Sequence, residues 1–338
     1  MNLANELMNS SKKIKWGIIG CGNIANKFAS DLALIDDAEL TAVASRNIDK
    51  ATKFSKQHNS KKAYASYKEL LLDTAVDIVY IATPHTSHAA LSIKAMNYGK
   101  HVLCEKPLAL NAKETRTMLE TSKKTKRFFM EALWTRFNPS LVEIKKRIDH
   151  GEIGSIKYIN ADFAFKTDKS LDSRALNLDL GGGTILDIGI YPAFLVYLFL
   201  GVPKEILARS IFHEVTKCDM QASMIFHYDH AQAILYSGFT SQSGIVARIS
   251  GTEGQIHLHN PWLVAQGYSL LKDNEEQVFN LPTTGIGFSH EIIECHHCLR
   301  TNKIESKHWS HQNSLDLITI LDTVRNQVGL QYPQELNE

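Results

Sequence analysis

The passage Gly20-Cys21-Gly22-Asn23-Ile24-Ala25 restricts this chain more than any other stretch. It ends an apolar run, KIKWGIIG, and opens an amphipathic one, NIANKFASDLALI. Between a strand and a helix, GxGxxA has a physical reading. Gly20 permits the tight turn, Gly22 lets the backbone approach a pyrophosphate, and Ala25 lets the helix lie close on a sheet. The amides of the first helical turn, at Asn23 and Ile24, then attract phosphate. A purely structural turn is the competing reading, and the rest of the first half weighs against it. Short β-rich runs (ELTAVASR, KAYAS, DIVYIAT, HVLCEKP, RFFMEAL) alternate with helical patterns (IDKATKFSKQH, SHAALSIKAMNYGK, NAKETRTMLETSKKTK), the mark of a parallel sheet with crossover helices.

The second strand runs into Ser45-Arg46-Asn47, with no carboxylate to receive ribose hydroxyls. Ser45 can donate a hydrogen bond to a 2′-phosphate and Arg46 can pair with it, so NADP is expected over NAD. The alternative is that Arg46 only covers the adenine face, which leaves the preference loose. The fourth strand leads into Thr83-Pro84-His85-Thr86-Ser87-His88 at the carboxyl edge, where open α/β sheets bind ligands. His88 would cap the next helix or touch the cofactor; for a single histidine a structural role is the plainer reading. After the fifth strand comes Glu105-Lys106-Pro107, and a lysine there is placed to move a proton. A surface lysine in a strand-to-helix loop is its bland counterpart.

Charge narrows the choice of partner. The 37 basic and 36 acidic residues leave a formal charge of +1, so no net field draws the chain to nucleic acid or anionic lipid, and a small molecule is expected. The longest apolar run, YPAFLVYLFLG, is about half of the ~20 residues that span a bilayer and reads as a buried core helix. The opening MNLANELMNSSKKIKWG has no apolar core of a secretory signal, and five scattered cysteines oppose a disulfide framework, so a cytoplasmic protein is expected. Cys295-His296-His297-Cys298, with His308 and His311, can be drawn as a zinc site. The same stretch reads as one amphipathic helix with Ile292, Cys295, Leu299 and Cys298 inward, and no metal is expected.

Past a helix ending at Gly151 the pattern becomes β-rich: SIKYINADFAF, EILARSIFH, DMQASMIFHY, QAILYSGF, IVARISG and QIHLHN, with further strands through VFNLP. Alternation in these runs indicates one buried face and one open face, a candidate dimer surface. Two helices close the chain, the last with Leu315, Ile318, Leu321 and Val324 on one core face. Two domains are expected, residues 12–130 for the dinucleotide and 131–330 for substrate and dimerisation. Within the second, GGGTILDIGIYP (181–192) sets an acid, Asp187, one helical turn before a phenol, Tyr191, on a helix expected to begin directly after the glycines.

In order along the chain, GIIGCGNIA, IATPHTSH, CEKPLALNAKE, EALWTRFNP and GGGTILDIGIYP resemble the Gfo/Idh/MocA oxidoreductases, from about Lys15 to about residue 330. The resemblance implies a Rossmann domain with a parallel sheet, then an α+β domain whose open, mostly antiparallel sheet forms a homodimer or higher homo-oligomer. It implies Lys106 as the catalytic or proton-relaying lysine, next to a Lys106-Pro107 bond that is commonly cis. Many members carry DxGxH; here Asp187 matches the acid and Tyr191 stands at the histidine. That departure turns the expectation from inositol oxidation toward the dihydrodiol and D-xylose dehydrogenase branch, which prefers NADP. By the same resemblance Trp134 and Arg136 lie near the nicotinamide, Phe163 lies near the substrate, and Arg174 is a further substrate candidate.

The expected reaction is hydride transfer between NADP and a hydroxyl or carbonyl carbon of a sugar or cyclic diol. Tyr191 would contact the reacting oxygen as acid or base, with Lys106 assisting it or taking the proton itself. Asp187 would orient Lys106 or bind a second hydroxyl. The alternatives are a non-catalytic NADP-sensing regulator, a biliverdin-reductase-like enzyme, and an NAD-linked inositol or polyol dehydrogenase.

Overall fold

The structure, a computed structural model, describes residues 12–336. Most of the stretch weighed above as a secretory signal therefore lies outside the described residues. Two compact units emerge: one holds the chain up to Ala109 with Lys113–Trp134 and Thr284–Ser314, the other Leu110–Ala112, Thr135–Thr283 and the chain from Leu315 on.

In the first unit β1 (Ile14–Ile19), α1 (Asn23–Leu32), β2 (Ala38–Ala44), α2 (Ile48–Gln57), β3 (Lys62–Tyr64), α3 (Tyr67–Leu72), β4 (Ile78–Ile81), α4 (His88–Asn97), β5 (His101–Glu105), α5 (Ala112–Thr125) and β6 (Phe129–Ala132) follow one another. The sheet order is β3-β2-β1-β4-β5-β6, and every pairing is parallel. This is the doubly wound order, in which the strand sequence reverses between β1 and β4. Helices cover both faces, so β4 is apolar and buried along its whole length rather than alternating, and β6 is buried throughout with Glu131 as its one charged residue.

The second unit carries α6 (Pro139–Asp149), β7 (Ile156–Ala164), α7 (Ile190–Leu200), β8 (Glu205–Phe212), β9 (Asp219–His227), β10 (Gln232–Gly238), β11 (Ala247–Gly251), β12 (Gln255–Leu258), β13 (Gly267–Lys272) and β14 (Glu275–Asn280). Its sheet runs β14-β13-β12-β11-β7-β10-β9-β8, antiparallel except for β7 with β10. One face buries Ile159, Ala161, Met224, Phe226, Leu235 and Ile249, and α7 packs on it against β7 and β10. Every residue of α7 from Ile190 to Tyr197 is buried, which is why the helix is apolar all round. The helical path Leu178–Leu200 is long and apolar enough to cross a membrane by composition, yet 83% of its most apolar window is buried within the protein.

The last helices are α8 (Ser289–Arg300) and α9 (His311–Val328). Residues 284–314, assigned from sequence to the second domain, cluster with the first unit. Their attachment is polar and specific. Asp31 on α1 accepts backbone N–H bonds from Ile286, Gly287, Phe288 and Ser289 at 2.8 to 3.3 Å. Glu131 on β6 accepts from Trp309 Nε1 at 3.1 Å and Ser314 Oγ at 2.8 Å. Such long-range pairs leave no periodic signal in the sequence.

Candidate active site

The glycine loop meets the requirements of a dinucleotide cradle. Gly20 has φ +96°, and a Cβ there would strike the Ala82 carbonyl oxygen at 2.5 Å. A Cβ on Gly22 would meet nothing within 4 Å, so the space in front of this backbone is open. α1 begins at Asn23 with no side-chain cap and no acid in its first turn, which leaves the positive helix end uncompensated. Ala25 is fully buried against the sheet. At the end of β2, Ser45 is buried and its Oγ accepts from Asn47 N at 3.3 Å, while Arg46 is exposed. Burial raises the Tyr67 phenol, and the charge of neighbouring Arg46 opposes that rise.

Thr83 and Pro84 follow β4, and Thr83 Oγ1 accepts from Ser87 Oγ at 2.8 Å. His88 is fully buried, with Nε2 2.9 Å from the Thr83 carbonyl oxygen and Nδ1 2.9 Å from that of Pro107. Expected among the cofactor contacts, His88 ties together the loops after β4 and β5. Glu105 is likewise turned inward. Its carboxylate accepts a short hydrogen bond from Tyr80 Oη, and its other oxygen accepts from the Lys106 amide at 3.2 Å. Lys106 is half-buried and its bond to Pro107 is cis. Trp134, half-buried, stacks on Phe288 with ring centroids 4.5 Å apart and planes 8° from parallel.

In the second unit four of the expected residues fall into two contacting pairs. Arg174 Nη2 donates to Asp187 Oδ2 at 2.9 Å, and the Tyr191 ring stands edge-on to Phe163 at 5.8 Å. Phe163 continues into an apolar cluster with Phe165, Leu176, Ile188 and Phe239. Arg136, in the turn Trp134–Phe137, is buried. The helix carrying Asp187 does not start as expected. Residues Ile185–Gly189 form a π-helical turn, and α7 follows it. Pro192 supplies a reason, because it cannot donate to the Ile188 carbonyl and its ring would crowd that oxygen in a regular helix.

Comparison with known proteins bears directly on this geometry. The chain matches the model of an oxidoreductase family with an NAD-binding Rossmann fold, GFO_IDH_MocA, over residues 14–133, and that family's C-terminal domain over residues 141–257. Among relatives, the trans-1,2-dihydrobenzene-1,2-diol dehydrogenase of Xenopus tropicalis is 35% identical over 332 residues, covering 94% of this chain and 99% of that protein. The chain belongs to the Gfo/Idh/MocA oxidoreductase family. The scyllo-inositol 2-dehydrogenase (NADP+) of Bacillus subtilis is 32% identical, covering 95% of this chain and 99% of its own. A 3-ketoreductase from Actinomadura kijaniata, solved with NADP and TDP-benzene, superposes with a TM-score of 0.85 at 25% identity, over 94% of this chain and 98% of that one.

Membership makes this Gfo/Idh/MocA protein an oxidoreductase with a Rossmann unit and a mixed-sheet second unit. Both dihydrodiol dehydrogenases and an inositol dehydrogenase stand among its relatives. The zinc-like stretch lies on α8 as an apolar-faced helix. Cys295 and Cys298 are buried, and His296 accepts from Trp16 Nε1 at 2.9 Å while its Nδ1 faces Asp37 at 3.0 Å. A hollow of about 550 Å³ lined by Ile14, Asp77, Lys100, His101 and Arg127 opens at the amino ends of the strands. That is the edge opposite the glycine loop, and open α/β sheets bind ligands at the carboxyl ends.

Proposed function

We propose that this protein is a cytoplasmic NADP-dependent dehydrogenase that oxidises a hydroxyl-bearing carbon of a sugar or cyclic vicinal diol, or reduces the matching carbonyl. The observation that carries the reading is the cluster in the second unit, a phenol on an aromatic wall with an arginine-held carboxylate on the preceding turn. Such a cluster can hold one hydroxyl at Tyr191 and a second at Asp187, the demand of a vicinal diol. The open front of Gly22, the uncapped start of α1 and the exposed Arg46 support a phosphate-bearing dinucleotide, and Arg46 supports a 2′-phosphate in particular. Trp134, Arg136 and Lys106 are assigned to its nicotinamide end.

When bound, the nicotinamide takes or supplies the hydride. The protein's part is the proton. In the oxidative direction the substrate carbon loses a hydride, its hydroxyl oxygen loses a proton to Tyr191 or Lys106, and the carbonyl forms. Asp187, fixed by Arg174, orients the neighbouring hydroxyl.

The decisive experiment follows absorbance at the reduced-nicotinamide band with aldoses, inositols and cyclic diols, each with NADP and with NAD. Turnover with a diol or sugar that is faster with NADP is expected; faster turnover with NAD would overturn the reading of Ser45 and Arg46. Lys106→Met and Tyr191→Phe should each abolish most of that turnover, and unchanged rates would remove them from the site.

A further inference from the structure

The π-helical turn is seated at both ends on side chains from the sheet beneath it. Asp219, the first residue of β9, is fully buried, and its Oδ2 accepts from Ile185 N at 2.7 Å and from Thr184 Oγ1 at 2.9 Å. Thr184 Oγ1 in turn accepts from Ser237 Oγ on β10 at 3.2 Å. At the other end of the turn, a Cβ on Gly189 would lie 2.9 Å from that same Ser237 Oγ, so Gly189 rests on the hydroxyl. Gly183 has φ +115°, and a Cβ there would meet Asp219 Oδ1 at 1.9 Å. The glycine cluster therefore makes room for a carboxylate of this chain.

We propose that Asp219 is a positioning residue: its carboxylate seats the π-helical turn and thereby sets the direction of Asp187 within it and of Tyr191 just beyond it. The inference rests on the assignment of Asp187 and Tyr191 to the reaction.

On this proposal the seat should respond to pH. Burial pushes Asp219 up to about 7, against the hydrogen bonds from Ile185 and Thr184 that favour its charge. Its Oδ1 accepts no hydrogen bond among the described residues. The groups facing it are Cys218, the residue just before β9, and Tyr332 of the C-terminal turn, whose Oη donates to the Gly182 carbonyl at 3.2 Å. Behind Tyr332 stand Arg325, 5.1 Å from the ring, and Glu335, paired to Arg325 at 2.8 Å. Burial pushes Cys218 up to about 11 and Tyr332 well above its usual range, while the arginine holds Glu335 low. Asp219 is thus the facing group that changes charge near neutrality, and its protonated form is the weaker acceptor for Ile185 and Thr184.

The test uses the full chain with Asp219→Asn and Ser237→Ala. Two readouts are needed: kcat and KM across pH with NADP+ and a cyclic vicinal diol, and amide exchange at Ile185 without substrate, corrected for intrinsic pH dependence. Wild-type kcat should fall as pH drops through about 7, with faster Ile185 exchange over the same range. Asp219→Asn should lose that limb, lower kcat about 10- to 100-fold, leave KM within about twofold, and speed Ile185 exchange at high pH. Ser237→Ala should keep the limb with a smaller loss. A folded Asp219→Asn variant with wild-type kcat, pH profile and exchange overturns the proposal. If that variant does not fold, wild-type Ile185 exchange that is flat across pH 7 overturns it instead. The exchange readout needs no turnover, so it decides the role of Asp219 even if no diol or sugar is oxidised. Conversely, full activity in Tyr191→Phe defeats the functional reading while leaving the exchange result standing.

Discussion

Tyr191 stands edge-on to Phe163 in the second unit, so Tyr191→Phe removes the hydroxyl while keeping the ring contact. Its kcat should fall roughly 10²- to 10⁴-fold, the range for loss of a positioned acid or base, with the circular dichroism spectrum unchanged. Arg46→Ala should raise KM for NADP about tenfold or more and leave KM for NAD in place, because only the 2′-phosphate calls for the guanidinium. A third residue was invisible as chemistry in the sequence. Glu291 on α8 is fully buried, both its oxygens lack hydrogen-bond partners among the described residues, and burial next to Glu105 and Asp31 pushes it well above 4.5. The folded protein therefore holds this proton at pH values where the unfolded chain has released it. Stability from this group is full below about pH 4.5 and is lost as pH rises toward the raised folded value, at up to about 1.4 kcal/mol per pH unit. Glu291→Met should remove that slope and stabilise the protein at pH 8 by roughly 1–3 kcal/mol, measured by urea unfolding across pH.

At the scale of elements, β1–β6 and the longer helices between them were readable because each is specified by its own local pattern of apolar residues, caps and turns, whereas the six-residue α3 is too short to show a helical period. The stretch Gly181–Tyr191 was readable only in part. Its residue types suggested a site, and in the structure Asp187 pairs with Arg174 while Tyr191 stands against Phe163. Its shape was not readable, because the π-helical turn rests on Asp219 and Ser237, which lie on other strands and are brought beneath it only by the register of β9 and β10. In the structure Gly183 is required by a side chain of the same unit, and Gly183→Ala combines a left-handed φ with a collision against Asp219. That variant should lose at least about 2 kcal/mol of unfolding free energy, and melting near wild type would show that the turn has another way to close.

On the whole molecule, the open face of the second sheet presents Leu207, Ile225 and Ile234 in one cross-strand row on β8, β9 and β10, each at least 40% exposed. We infer a homodimer formed through this face, since such a row is an apolar strip of the kind that association covers. Ile234→Lys should convert a dimeric mass to a monomeric one in sedimentation velocity, and an unchanged mass would place the contact elsewhere. From the sequence alone came the class of the first unit, the dinucleotide loop and the residues that carry the family resemblance. These are set by periodicity and short motifs, whose physics is complete within a few residues. Only the tertiary structure decided that residues 284–314 join the first unit, that His88 and Glu105 face inward, and that a buried acid seats the turn bearing Asp187. Each of those outcomes depends on hydrogen bonds between residues far apart in the chain, and such pairs have no partner-independent signature: an aspartate at position 31 or 219 looks like any other until the fold brings its donors to it.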